Sequence, residues 1–209
     1  MRSSNLRKFS PILKPELIFV FVVALIFRLL GLDAVLAGDE LAMVSLWAQM
    51  PYEKIFQNYQ YPNNHIFLTL ILSFLLKSIG LYEWLLRMPT LICGLISIYL
   101  GYQAGNAIAK NPNVRVITAL FLALSEWHIF YSTNARGYIV IMMLGQICIL
   151  KLMPALEARK TNVEESEPPQ KFIFSSIGWI LIWVVGTWTL PTFIFFEVSF
   201  SIFLLVLII

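Results

Sequence analysis

The stretch "IFLTLILSFLL", Ile66–Leu76, decides how this chain folds. It is apolar enough for a membrane, but it has only eleven uncharged residues before Lys77. As an α-helix it reaches about 17 Å, against a hydrocarbon core of about 30 Å. A run that short lies along the interface or enters and turns back. If it crossed, every later segment would change sides.

The runs around it are longer. Leu17–Ala37, Met88–Ala109, Val116–Ala135, Gly137–Met153, Phe172–Leu190 and Thr192–Ile209 are each close to the length of one crossing. Charge then arbitrates. With the N-terminus inside and the short run not crossing, ten Lys and Arg side chains fall on the cytoplasmic side and four outside. If the short run crosses, the split is seven against seven. The positive-inside bias selects the first arrangement. The expected fold is therefore an all-α integral membrane protein of about six transmembrane helices. Residues 1–16 form a basic cytoplasmic tail, 38–86 a first extracytoplasmic loop with amphipathic surface helices, and 154–171 a cytoplasmic loop. "EARKTNVEESEPPQK", Glu157–Lys171, is charged and aperiodic, with Pro168-Pro169, and reads as solvated loop.

Composition agrees with this reading. The chain is 59% hydrophobic and 13% charged, more apolar surface than a water-soluble domain of 209 residues can hide. A cleaved signal peptide ending near Val35-Leu36-Ala37 is disfavoured by Arg28 and Asp33 inside the run. Cys93 and Cys148 lie in apolar runs and read as small core residues, so no disulfide or metal framework follows. The last residues, "FLLVLII", stop in mid-run. The expectation is an N-terminal module, truncated at its C-terminus.

Ionisable groups in a bilayer cost a few kcal/mol each and usually mark function. In the chosen topology they gather on one side. Asp39, Glu40 and His65 lie in the first outer loop, and Arg87 opens the second crossing from outside. Glu126 and His128 end the third, Arg136 follows in the next outer turn, and Glu197 sits one to two turns into the sixth. Arg28 is read as pairing with Asp33 or reaching to the interface. Glu126 and Glu197 also fit interhelical hydrogen bonds. Trp84, Trp127, Tyr131, Tyr138 and Trp188 fit an aromatic belt. A surface carboxylate can serve as general base toward a hydroxyl, while nearby cations hold or neutralise a phosphate. No phosphate-binding glycine loop or dinucleotide fingerprint points to a soluble nucleotide, and nothing points to nucleic acid.

Three segments carry a resemblance: "LAGDELAMVSLWAQ" (Leu36–Gln49), "YPNNHIFLTLILSFLLKSIGLYEWLLRMPTLICGLISIYLGYQAG" (Tyr61–Gly105) and "ALFLALSEWHIFYSTNARGYIVIMML" (Ala119–Leu144). In this order they resemble the start of the GT-C membrane glycosyltransferases. The similar branch holds protein mannosyltransferases, bacterial aminoarabinose transferases and rhizobial lipopolysaccharide sugar transferases. The likeness covers roughly residues 15–150. It implies an inverting transfer of sugar from a polyprenyl-phosphate donor to a hydroxyl on a glycan, lipid or protein, outside the cytoplasmic face. The family's acidic pair matches Asp39-Glu40 and puts the catalytic base on Asp39, with Glu40 orienting it. Arg87 and Arg136 would bind the donor phosphate. His65, His128, Tyr131 and Tyr138 would be substrate contacts. A divalent cation, on Glu40 and His65, stays open as a cofactor. The chain departs from the pattern in two places: Asn63-Asn64 precede His65 without the prolines that often follow the histidine, and Glu126-Trp127 replace Pro-Phe. Two other readings stay in view: a multi-pass transporter or flippase of lipid-linked sugars, and a non-catalytic membrane subunit. The absence of an inverted repeat argues against the first. The second leaves the gathered polar groups without a task.

Overall fold

A computed structural model describes residues 14–58, 64–109, 111–161 and 169–208, with side chains described outside 154–176 and 207–208. Arg2, Arg7, Lys8, Asn63 and Lys110 lie outside the described residues. All regular structure among the described residues is helical. In chain order it comprises α1 (Pro15–Leu29), α2 (Gly38–Ala42) running into a π-wound segment (Met43–Ala48), α3 (Tyr52–Gln57), α4 (Ile66–Ser78), α5 (Glu83–Ala109), α6 (Pro112–Leu124), α7 (Glu126–Ser132), α8 (Tyr138–Thr161), α9 (Pro169–Thr189) and α10 (Phe193–Ile208).

Contacts along the helices set their directions. Glu16 near the start of α1 takes a 3.0 Å ion pair from Arg115 near the start of α6. At the other ends of the same helices, Arg28 reaches the carbonyls of Leu122 and Ala123. So α1 and α6 run parallel. α5 returns between them, because Gly94 meets Ser132 near the top while Gly105 meets Arg115 at the bottom. Neither glycine leaves room for a Cβ, which lets the backbones approach closely. α8 descends from Gly137 beside Thr189, α9 climbs back, and α10 descends again with Glu197 against Thr187. α1, α5, α6, α8, α9 and α10 thus alternate in direction through the bundle, and α2 to α4 cap one end.

The capping elements explain the short run. α4 begins with His65 against the Gly137 amide and ends with Lys77 donating to the Met50 carbonyl at 2.6 Å. Its Leu68 and Leu72 pack with Leu36, Met43, Val44, Leu86 and Ala135, all residues of that same end. α4 therefore stays at one end of the molecule, as its length implies.

Several boundaries depart from expectation. α1 ends at Leu29 rather than Ala37, and its last turn gives way to a bend carrying Gly31. The run Val116–Ala135 is not one helix: α6 and α7 meet at 64°. Ser125 is extended there, and Arg28 supplies donors to the carbonyls that the break exposes. The charged stretch Glu157–Lys171 is helical where it is described: α8 continues to Thr161 and α9 starts at Pro169, a favoured first helical residue. Hydrophobicity marks where a helix can lie in a membrane, and charge does not mark where the helix ends.

Among the described residues α5 is the single helix long and apolar enough to cross a membrane, and α6 with α7 would make a second if the bent pair counts as one span. Ile66–Ser78, Tyr138–Met153, Ile177–Thr189 and Phe193–Val206 are shorter apolar helices.

Candidate functional site

Two turns face each other at the capped end. One links α1 to α2; the other links α7 to α8. Between them lies a cleft of about 470 Å³ lined by Asp39, Glu40, Arg87, Asn134 and Arg136. The doublet expected to work together is split by the helical turn. Glu40 points into the protein with 3% exposure, while the Asp39 side chain is 54% exposed to the cleft. Gly38, at φ +54°, takes the left-handed conformation that turns the chain into α2.

Glu40 and Arg87 form the floor. Arg87 donates through Nε and Nη2 to the two oxygens of Glu40, at 2.8 and 2.6 Å. Its Nη1 reaches the carbonyls of Gly31, Leu32 and Ala34 at 3.2, 2.7 and 2.6 Å. Glu40 also accepts the Ala135 amide at 2.7 Å. One buried ion pair thus joins the first turn, α5 and the second turn. Arg87 was expected to bind phosphate, but its guanidinium is committed to the protein. Glu40 was a candidate for a cation, but both of its oxygens are occupied by donors. Among the described residues no group of three His, Cys, Asp or Glu side chains is placed to hold a metal ion. The Glu40 and His65 donor set does not fit a cation, since Arg87 and the Ala135 and Gly137 amides already take their acceptor atoms.

Asp39 and Arg136 form the working wall. Nη1 of Arg136 donates to Oδ2 of Asp39 at 2.7 Å. Nη2 reaches the Tyr138 hydroxyl at 3.2 Å, and the guanidinium lies 4.8 Å from the centre of that ring. The Tyr138 ring also meets Tyr131 at 4.9 Å and His65 at 5.4 Å. Tyr131 belongs to an aromatic group with Trp127 and Phe130 at the cleft's outer edge. Tyr138 thus supports Arg136, and Tyr131 supports Tyr138.

His65 stands behind this wall, not in the cleft, and is 1% exposed. Its Nδ1 accepts the Gly137 amide at 3.2 Å, which places the ring proton on Nε2. Burial, helped by the nearby Arg136 charge, pushes its imidazole down to about 4, with Asp39 pulling weakly the other way. The neutral ring is the stable form beside a guanidinium.

His128 is not a cleft residue either. It is buried one layer deeper, where Arg28 donates to Nδ1 at 2.7 Å and Ser97 meets Nε2 at 3.0 Å. Arg28 was expected to pair with Asp33 or reach the interface. It is instead fully buried, bonded to Ala24, Leu122 and Ala123 carbonyls as well as to His128. Sequence reading missed this pair because the two residues are a hundred positions apart and neither is a carboxylate. Glu197 accepts from Thr187 at 2.8 Å between α9 and α10, away from the cleft. Glu126 is exposed at the start of α7. Asn64 donates to the carbonyls of Ile55 and Asn58 and ties α3 to the start of α4.

No family model, curated protein or solved structure matches this chain.

Proposed function

We propose that the chain is a multi-pass membrane glycosyltransferase module that moves a sugar from a polyprenyl-phosphate donor to a hydroxyl acceptor, with inversion, at the extracytoplasmic face. The observation that carries this reading is the wall of the cleft: an exposed carboxylate, Asp39, 2.7 Å from a guanidinium, Arg136. Proton acceptor and phosphate contact are what such a transfer needs side by side. The volume, about 470 Å³, suits a monosaccharide with its phosphate. The rim is apolar: Val35, 82% exposed, and Phe130, half exposed, line it. Large apolar side chains also cover the outer faces of α1 and α10, as they do on a surface that meets lipid. In this reading α1, α5, α6 with α7, α8, α9 and α10 are the six crossings and α4 lies on the outer surface. Ten positive charges inside against four outside orient the bundle.

The chemistry balances without a metal. The acceptor hydroxyl attacks the anomeric carbon from the face opposite the phosphate, and its proton passes to Asp39. The bond from that carbon to the phosphate oxygen breaks, and the electron pair leaves with the polyprenyl phosphate. Arg136 offers charge to that oxygen, while Glu40 and Arg87 hold the two turns at the spacing the transfer needs. The charged residues that line the cleft, Asp39, Glu40, Arg87 and Arg136, stand together at one end of the bundle, which favours transfer over transport. Sugar transfer from labelled polyprenyl-phosphate sugar, in membranes carrying the protein, tests the reading. Asp39→Asn keeps the size and loses the base, so the rate is expected to fall about 10²–10⁴-fold. Undiminished transfer by that variant removes Asp39 from the role.

A further inference from the structure

Arg136 is presented to the cleft by a turn with little of its own to hold it. Within the α7–α8 link a backbone hydrogen bond runs from the Arg136 amide to the Asn134 carbonyl. Side chains from elsewhere fix the rest. Glu40 takes the Ala135 amide, and His65 takes the Gly137 amide. The two amides flank Arg136 on either side. Gly137 is enclosed as well: an added Cβ would strike the Thr189 methyl and His65 Nδ1. The Tyr138 ring, which carries the guanidinium, rests edge-on against the same imidazole.

We propose that His65 is a positioning residue: by accepting the Gly137 amide it fixes the turn that aims Arg136, and so determines whether the cleft holds an anionic phosphate. This rests on the reading of the cleft as a phosphate site. His65 itself touches no substrate. Its acceptor atom is two bonds from Cβ, where Asn carries its Oδ1. Asn therefore preserves the acceptor, Phe preserves the ring and loses the acceptor, and Gln carries its oxygen one atom too far out.

The test uses the full chain in phosphatidylcholine nanodiscs, with a short-chain polyprenyl phosphate as probe and the matching polyprenol as control. Amide hydrogen exchange over residues 133–138 is read in parallel. The wild type is expected to bind the phosphate in preference to the alcohol. His65→Asn should stay within about threefold, whereas His65→Phe should weaken phosphate binding roughly tenfold, as loss of one buried acceptor implies. Exchange at Gly137 should speed up in Phe and not in Asn. Should Phe fail to fold, His65→Gln reads the same loss. If Phe and Gln bind as the wild type does, the positioning role is overturned, whatever the exchange shows. If exchange speeds up as expected but the wild type binds phosphate and alcohol alike, the phosphate reading falls and the His65–Gly137 strut stands.

Discussion

At the scale of single residues, the cleft separates two carboxylates that the sequence writes as neighbours. Asp39 meets solvent and Arg136; Glu40 is sealed against Arg87. Neutralising Glu40 as Gln leaves a buried guanidinium without its counter-ion, which costs about 3–5 kcal/mol. Unfolding of the detergent-solubilised protein should report that loss, and a second change, Arg87→Met, should restore much of it. If the single variant unfolds like the wild type, the pair is not what joins the turns. His65 makes stability depend on pH. Its folded value of about 4 lies below the ordinary 6.5, so the unfolded chain takes up a proton first as pH falls. The contribution is complete above about pH 6.5 and is lost between there and about pH 4, on the order of 3 kcal/mol in all. In His65→Asn that part of the pH profile should flatten. The residues that line the cleft were legible in sequence, since adjacent acids after an apolar run and arginines at run ends are costly and conspicuous. Their division of labour was not, because which acid faces inward depends on how α2 leaves Gly38.

At the scale of elements, the informative feature is the break between α6 and α7. An apolar run of twenty residues, Val116–Ala135, reads as one helix by hydrophobicity alone. Arg28 makes the bend tolerable by donating to the carbonyls of Leu122 and Ala123. It takes its own remaining support from His128 and Ala24. Replacing it by Leu removes these donors at once and leaves buried acceptors unpaired, at about 1–3 kcal/mol for each such group. The midpoint of thermal unfolding should drop clearly in Arg28→Leu, and less in Arg28→Lys, which keeps one donor group. An unchanged midpoint in the Leu variant would mean that the bend stands without it. The bend matters for the cleft because α7 leads the chain to Asn134 and Arg136, which line it. Nothing local in "LALSEWH" announces it, since the decisive partner enters from α1.

At the scale of the whole molecule, sidedness is the quantity to measure. Asn111, at the start of α6, and Asn134, in the cleft, lie at opposite ends of the bundle. Cysteines placed at each, in a background lacking Cys93 and Cys148, should differ in intact cells. A membrane-impermeant thiol reagent is expected to label position 134 and not 111. The reverse pattern would move the cleft to the cytoplasmic side and end the case for a lipid-phosphate donor used outside. The sequence by itself determined the helical class and marked Asp39, Glu40, Arg87 and Arg136, which line one cleft. Those follow from composition, run length and charge bias, which are properties of segments read one at a time. Only the tertiary structure decided that Arg87 is spent on Glu40, that His128 belongs to Arg28, and that His65 stands behind the cleft. Such outcomes depend on which donor meets which acceptor across dozens of residues, and a buried polar group takes whatever partner the packing brings within about 3 Å.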